Sequence, residues 1–427
     1  MTKKRRMRLN RTLRAKKPYT LSVNGYKIVV VPNNSLLISV QSYVFSGFIV
    51  ETPSTLGINH LLEHVLANAY TPCRKFDCYS YLRDNALNSN ASTSNNVLNY
   101  YVNGFKTKLE KMVDYIVNIT TRPVFDDAML AREKTAVANE LYMYKDNPIS
   151  KTKHALHKHL YKIYGLQNMD NYDKQLENLS NITTITLAEY YHKTYGSTNT
   201  IFVVSGTVNL STIKRLFSTK LPASHKVKVP RYSCFTYKPQ THFLHNPKLT
   251  STQILIAYPT KIRYNSPEIP PLQLGVDMLR HRLFIRLRVV GKLIYGIQAS
   301  ITTNICGTSV EFLINTKNEN VQAVLDGFKA TLRDISQLES SMQPTKQLYL
   351  TNYKSTYFNS QDLANLIGIQ AVYRHILNTD LHVPTFFKEK YMSSTFKHVE
   401  RLLEQTINRG HPVCVVSNSR KQRKYRF

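Results

Sequence analysis

Two histidines four residues apart, His60 and His64, bracket Glu63 in the segment Gly57-Ile-Asn-His-Leu-Leu-Glu-His. On a helix, positions i and i+4 share one face, so both imidazoles can reach a single metal ion. Glu63 sits at the edge of that face. It is poorly placed as an equal third ligand and well placed to touch a water beside the ion. Ile58, Leu61, Leu62, Val65 and Leu66 recur at helical spacing through the same stretch, so the helix this chemistry requires is predicted. A catalytic zinc needs a third protein ligand and an open position. Residues 126–146 offer Glu133 and Glu140, seven apart and therefore two turns along one face of another helix. One of these carboxylates can ligate while the other supports the shell around it.

The elements that must hold these residues are readable in outline. Apolar runs broken by short polar steps over 26–50 predict strands, as does 97–103. Helical patterns follow at about 106–119, 126–146 and 150–164. Residues 200–208 predict a strand and 211–217 a helix. Residues 219–250 lose periodicity and hold Pro222, Pro230, Pro239 and Pro247, as a linker would. Beyond it come a strand at 253–258, a helix at 272–289, strands within 294–315, more helices and a last strand at 413–418. Val413-Cys-Val-Val-Ser echoes Ile201-Phe-Val-Val-Ser, so the two halves read as an internal duplication. The expected division is a basic flexible arm at 1–17, a zinc-binding domain at 18–222, a linker at 223–250, a homologous domain without the metal motif at 251–418, and a basic tail at 419–427.

His-x-x-Glu-His is the inverted form of a common zinc-protease motif. With it in place, the chain resembles the pitrilysin/insulinase family of zinc metalloendopeptidases. Glu140 falls 76 residues after His64, where the family has its third zinc ligand, and Glu133 matches an additional glutamate one heptad earlier. Gly47 and Glu51 resemble the Gly…Glu that precedes the family's zinc helix. Asn90-Ala91-Ser92-Thr93-Ser94 resembles a strand that pairs with substrate backbone, and Asn99-Tyr100-Tyr101 continues the likeness. Leu287-Arg288 and Tyr295 resemble a segment whose Arg and Tyr reach across a chamber to the substrate. The resemblance implies an α+β fold: two homologous domains, each a mostly antiparallel sheet with packed helices, forming a clamshell chamber. It implies His60, His64 and Glu140 as ligands of Zn2+, Glu63 as the base, Glu133 in support, Asn90 and Ala91 on the substrate strand, and Arg288 and Tyr295 at the oxyanion. The implied activity is endopeptidase cleavage of unfolded peptides or flexible protein segments. A catalytically idle scaffold subunit and a basic virion or nucleic-acid-associated assembly protein are the alternatives.

Charge bounds the partners. The 427 residues carry 57 Lys+Arg against 27 Asp+Glu, a formal net charge of +30. Nine basic residues lie in 1–17 and five in 420–427, so the body is basic as well as its ends. Such a field favours an anionic partner, nucleic acid or acidic protein, through the surface and tails. No nucleic-acid-binding motif accompanies the 28 tyrosines. No apolar run is long enough to span a membrane, and no apolar stretch follows the basic start as it would in a secretory signal. Five scattered cysteines do not resemble a disulfide framework and favour an intracellular, reducing compartment. His154, His157 and His159 have no neighbouring carboxylate in sequence and read as a solvated helix face.

Overall fold

The computed structural model describes residues 17–70, 78–223, 225–228, 235–356, 359–377, 380–382, 384–419, 425 and 427. The basic arm, Cys73, Cys234 and most of the basic tail lie outside these residues.

The first half builds one six-stranded sheet from β1 (Tyr19–Val23), β2 (Tyr26–Pro32), β3 (Leu37–Val44), β4 (Asn88–Thr93), β5 (Leu98–Phe105) and β6 (Thr200–Gly206). Its order is β1-β2-β6-β3-β5-β4. All neighbours are antiparallel except β2 and β6. The central strand β6 is buried along its whole length, which is why its sequence reads as a continuous apolar run. At the open edge, β4 alternates between exposed and half-buried residues. The helices of this half are α1 (Ile58–Ala67), α2 (Cys78–Asp84), α3 (Leu109–Thr121), α4 (Asp127–Asp146), α5 (Pro148–Leu160), α6 (Tyr164–Asn168), α7 (Tyr172–Asn181), α8 (Thr184–Thr194) and α9 (Leu210–Lys220).

The second half repeats the plan with β7 (Gln240–His245), β8 (Thr252–Thr260), β9 (Ile294–Asn304), β10 (Gly307–Thr316) and β11 (Val413–Asn418), ordered β7-β11-β8-β10-β9. Again one pair, β7 and β11, is parallel, as β2 and β6 are in the first sheet, but β7 is the edge strand and nothing corresponds to β1 among the described residues. Its helices are α10 (Ile269–Phe284), α11 (Val321–Arg333), α12 (Met342–Thr356), α13 (Ser360–Leu377), α14 (Pro384–Ser393) and α15 (Phe396–Leu403). The fold is therefore α+β with two homologous domains, as the echo between the halves implied. Within the stretch read as a linker, Gln240–His245 forms the edge strand β7. None of its residues is fully buried, so its apolar signal is weak.

Each domain has its own core, and a third joins them. Val29, Val31, Tyr43, Ile201 and Val203 of the first sheet cluster with Leu255, Ala257, Val413 and Val415 of the second. Leu156 and Leu160 of α5 and Ala364, Ile367 and Ala371 of α13 belong to the same cluster. The two helices are exchanged: α5 packs on β8 and β11 of the second sheet, and α13 packs on β3 and β6 of the first. Gly368 on α13 is required by that contact, because a Cβ there would lie 2.1 Å from the Tyr43 ring. Among the described residues, no helix is long and apolar enough to cross a membrane.

Candidate active site

Helix α1 begins where the backbone turns through Gly57, at φ 91, a left-handed conformation that favours glycine. No residue at that end caps the helix locally. The Glu51 carboxylate does so from the preceding loop, accepting from Gly57 N at 2.8 Å, Asn59 N at 3.0 Å and Asn59 Nδ2 at 3.0 Å. Burial pushes the Glu51 carboxyl up to about 7, against the opposing pull of these donors. Asn59 is a hub. It accepts from Ser46 Oγ at 2.6 Å and donates to Gly47 O at 3.1 Å and Tyr190 Oη at 2.9 Å. Gly47 in turn lies against the β4–β5 turn, where a Cβ would meet Ser94 O at 2.4 Å. The start of α1 is thus fixed to both the sheet and the strand edge.

Helix α4, capped by the Asp126 side chain on Met129 N, runs beside α1 and carries both glutamates. His60 Nε2 lies 3.3 Å from Glu140 Oε2, and His64 Nε2 lies 3.8 Å from Glu140 Oε1. Among the described residues these three form the one group of His, Cys, Asp or Glu whose ligand atoms all fall within 4.8 Å of one another. The other nitrogen of His64, Nδ1, is 3.5 Å from Glu133 Oε2. Glu133 is held in turn by Asn68 Nδ2 at 3.3 Å and Arg132 Nε at 3.1 Å. Burial would raise its carboxyl, but the partners His64 and Arg132 prevail and lower it. A histidine whose Nδ1 faces a carboxylate and whose Nε2 is free toward a shared centre is oriented as zinc-binding histidines are. Two imidazoles and one carboxylate match the donor set of a catalytic zinc. The residues present fit the metal.

Glu63 projects from the edge of the same helix and accepts from Thr93 Oγ1 of β4 at 2.6 Å. Burial raises its carboxyl, opposed by that hydrogen bond. The cluster opens into a cavity of about 710 Å³ whose walls include Asn90 and Ala91 of β4, Tyr79 and Leu82 of α2, and Tyr144, Met169 and Tyr172. The Asn90 side chain accepts from Ala91 N at 2.9 Å. Every described residue lining the cavity belongs to the first half. Arg288 and Tyr295 are not among them. Arg288 lies in the π-helical extension of α10 and donates from Nη1 to Ile294 O at 2.9 Å, while Tyr295 stands 54% exposed on β9. The structure brings together His60, Glu63, His64, Glu133 and Glu140, with Asn90 and Ala91 on the same cavity wall, and leaves the Arg–Tyr pair apart from them.

Two side-chain readings are corrected. His157 is not a solvated helix residue: its Nδ1 lies 2.5 Å from Asp170 Oδ2, and both side chains are largely buried beside the cavity. The loop between α6 and α7 brings in a carboxylate 13 residues along the chain, which helical periodicity does not reveal. The cysteines are not all reduced: Cys78 and Cys306 are each in a disulfide, not with one another, and Cys414 is a buried free thiol. Asn59, Asn68 and the holding role of Thr93 carried no signal in spacing alone.

Residues 29–171 match the family described as Insulinase (Peptidase family M16), and residues 181–343 match the Peptidase M16 inactive domain. The chain belongs to the pitrilysin/insulinase (M16) family of peptidases. An uncharacterized zinc protease of Bacillus subtilis, YmxG, is 27% identical over 206 residues, 46% of this chain and 48% of that one. Human insulin-degrading enzyme is 30% identical over 119 residues, 27% of this chain and 12% of that one. A probable mitochondrial-processing peptidase subunit alpha-2 of Arabidopsis thaliana is 27% identical over 134 residues, 31% and 27% of the two chains. The matches thus span less than half the length of each of these relatives. In fold, a protease from Helicobacter pylori superposes with a TM-score of 0.82 at 17% identity, covering 94% of this chain and 99% of that one. The M16 inactive domain from Pseudomonas fluorescens gives 0.81 at 16%, covering 96% and 100%.

Proposed function

We propose that the chain is a zinc-dependent endopeptidase acting on unfolded peptides or flexible protein segments. The observation that carries this reading is the convergence of His60 Nε2, His64 Nε2 and a Glu140 oxygen, with Glu63 alongside, on a cavity walled by an open strand edge. His60, His64 and Glu140 would hold the metal, and Glu133 would keep His64 in the required tautomer and orientation. When bound there, zinc supplies Lewis acidity toward a scissile carbonyl and lowers the pKa of water. Glu63 would remove a proton from the attacking water and deliver it to the leaving amine. Asn90 and Ala91 lie on β4, whose unpaired side can receive an extended peptide as an added strand.

Arg288 and Tyr295 would donate to the oxyanion as it develops. Because they stand apart from the cavity, they would act from across it, presented by a second copy of the chain. Three relatives are named as subunits, of mitochondrial-processing peptidase, and the packed core between the domains opposes closure of one on the other within a single chain. The charge of +30 supports an additional anionic partner, and co-purifying nucleic acid that is lost at moderate salt would identify it.

Metal analysis of purified protein combined with digestion of a peptide library tests the reading. One zinc per chain and cleavage are expected. Glu63→Gln keeps the shape and loses the base, so it should retain zinc and lose roughly 10²–10⁴-fold in rate. Turnover by that variant near the wild-type rate would show that Glu63 is not the base.

A further inference from the structure

We propose that Thr93 is a positioning residue that ties the aim of Glu63 to the strand edge on which a peptide would be seated, an inference that rests on the endopeptidase reading. Thr93 is the last residue of β4 and pairs with Leu98 of β5. Its hydroxyl reaches two acceptors, Glu63 Oε2 at 2.6 Å and Asn59 O at 3.4 Å. It has one proton to give. The short contact to the carboxylate is the charge-assisted and stronger of the two. Glu63 has three side-chain torsions and sits at the edge of α1, so without a partner its carboxylate would sample several orientations. With Oε2 committed to Thr93, Oε1 is the oxygen left to take a proton. Threonine suits the task because β-branching restricts its own rotamer.

The donor stands on an edge strand. β5 fixes β4 on one flank, and among the described residues no strand pairs with the other flank. A peptide that adds to the free flank would pair with the backbone of β4 and steady it, and through Thr93 it would steady the base. Binding energy gained along the strand, away from the scissile bond, would then appear in kcat and not only in KM. The Asn59 carbonyl oxygen lies 3.4 Å from the same hydroxyl while Asn59 N donates to Glu51, so the start of α1, the base and the substrate edge sit in one closely packed frame.

Thr93→Val keeps the shape and removes the hydroxyl donor, leaving only the backbone N–H of residue 93 facing the carboxylate. On a peptide long enough to run the length of β4, it should lower kcat by about 10–100-fold, the usual size for loss of a supporting hydrogen bond. KM, zinc content and melting temperature should stay near wild type. Thr93→Ser should restore most of the rate. On a peptide too short to lie along β4, the same Val variant should lose less. In a crystal structure of Thr93→Val, the Glu63 carboxylate should leave the orientation it has beside the metal cluster, and in Thr93→Ser it should keep it. An unchanged kcat for Thr93→Val on the long peptide overturns the proposal. So do equal losses in the Val and Ser variants, or a loss accompanied by reduced zinc content, either of which would mark a structural role. If the wild-type protein cleaves no peptide, the endopeptidase reading falls, and the Glu63 orientation in the two crystal structures still decides whether Thr93 holds it.

Discussion

The two halves place the same pair of helices in the same relation to the same kind of sheet, and put different chemistry between them. In the first half, α1 lies against the edge strand β4 and against α4. In the second, α10 lies against β9 and against α12. Each first helix presents an i, i+4 pair toward the other: His60 and His64 in one, Gln273 and Asp277 in the other. Across from them stands Glu140 on α4, or Tyr349 on α12. The second set closes on itself. Tyr349 Oη donates to Asp277 Oδ2, Gln273 Nε2 donates to the same oxygen at 3.3 Å, and Arg280 Nε lies 3.9 Å from the other. Tyr391 stacks on Tyr349 with ring centroids 4.3 Å apart. In the first set two imidazole nitrogens and a carboxylate oxygen converge within 4.8 Å of one another, a donor set that one cation can share. The scaffold determines where a polar cluster can sit, and the residue types placed there determine whether it could hold a metal or satisfies itself.

The most severe way to break this contrast is to remove the metal set from one half and a polar residue from the other. His60→Ala with His64→Ala should abolish zinc binding and cleavage together, while Asp277→Asn should leave one zinc per chain by elemental analysis. Zinc retained in the double variant, or two equivalents in the wild type, would mean the second half is not inert toward the metal.

The next effect sharpens the contrast by asking what the second half adds. Tyr295→Phe removes one hydroxyl, and Arg288→Ala one guanidinium, from a surface away from the metal. Zinc content should be unchanged and kcat should fall by up to about 10²–10³-fold, as for loss of one oxyanion donor. If a second copy supplies the pair, mixing the inactive His60→Ala protein with Arg288→Ala protein should restore part of the activity, since one arrangement of the two joins an intact cluster to an intact pair. Absence of any recovery, with the variants shown to associate, would count against supply by a second copy.

Within the first half, Glu140→Gln and Glu133→Gln should separate the ligand from its supporter. The former should weaken zinc severely and the latter by about 10–100-fold, since Glu133 faces His64 Nδ1 and would act on the metal only through that ring. Competition against a chelator reads the order, and a reversed order would exchange their roles.

How much of this was legible in the sequence follows from the range of each signal. Helix α1 announces itself because its His-x-x-Glu-His residues and apolar stripe lie within one short segment, and β6 and β11 because buried inner strands read as unbroken apolar runs. Glu140 was reachable only through the family resemblance, since periodicity alone leaves Glu133 and Glu140 equivalent. The exchange of α5 and α13 was not legible: amphipathic spacing shows that a helix buries one face and does not say against which sheet. β7 escaped because an edge strand among prolines has little burial to show. His157 was misread because Asp170 reaches it through a loop. Arg288 and Tyr295 were identified by resemblance, and nothing in their spacing says how far from the cavity the fold leaves them.

The smallest expected effect tests whether the second cluster is structural alone. Tyr349→Phe keeps the ring and its stacking on Tyr391 while deleting the hydroxyl that Asp277 accepts from. Asp277 would keep Gln273 and the more distant Arg280, and its side chain is 25% exposed, so water can replace part of what is lost. The cost should therefore lie near the lower end of the range for removing a partner from a buried charged acceptor, about 1–3 kcal/mol, read as a lowered denaturant midpoint at unchanged slope. Zinc content and kcat should not move, because no residue of this cluster lines the active-site cavity. Loss of stability together with loss of zinc would show that the halves are coupled through more than their shared core. No loss at all would mean that the second cluster is a solvated remnant and not the polar anchor of α10 and α12.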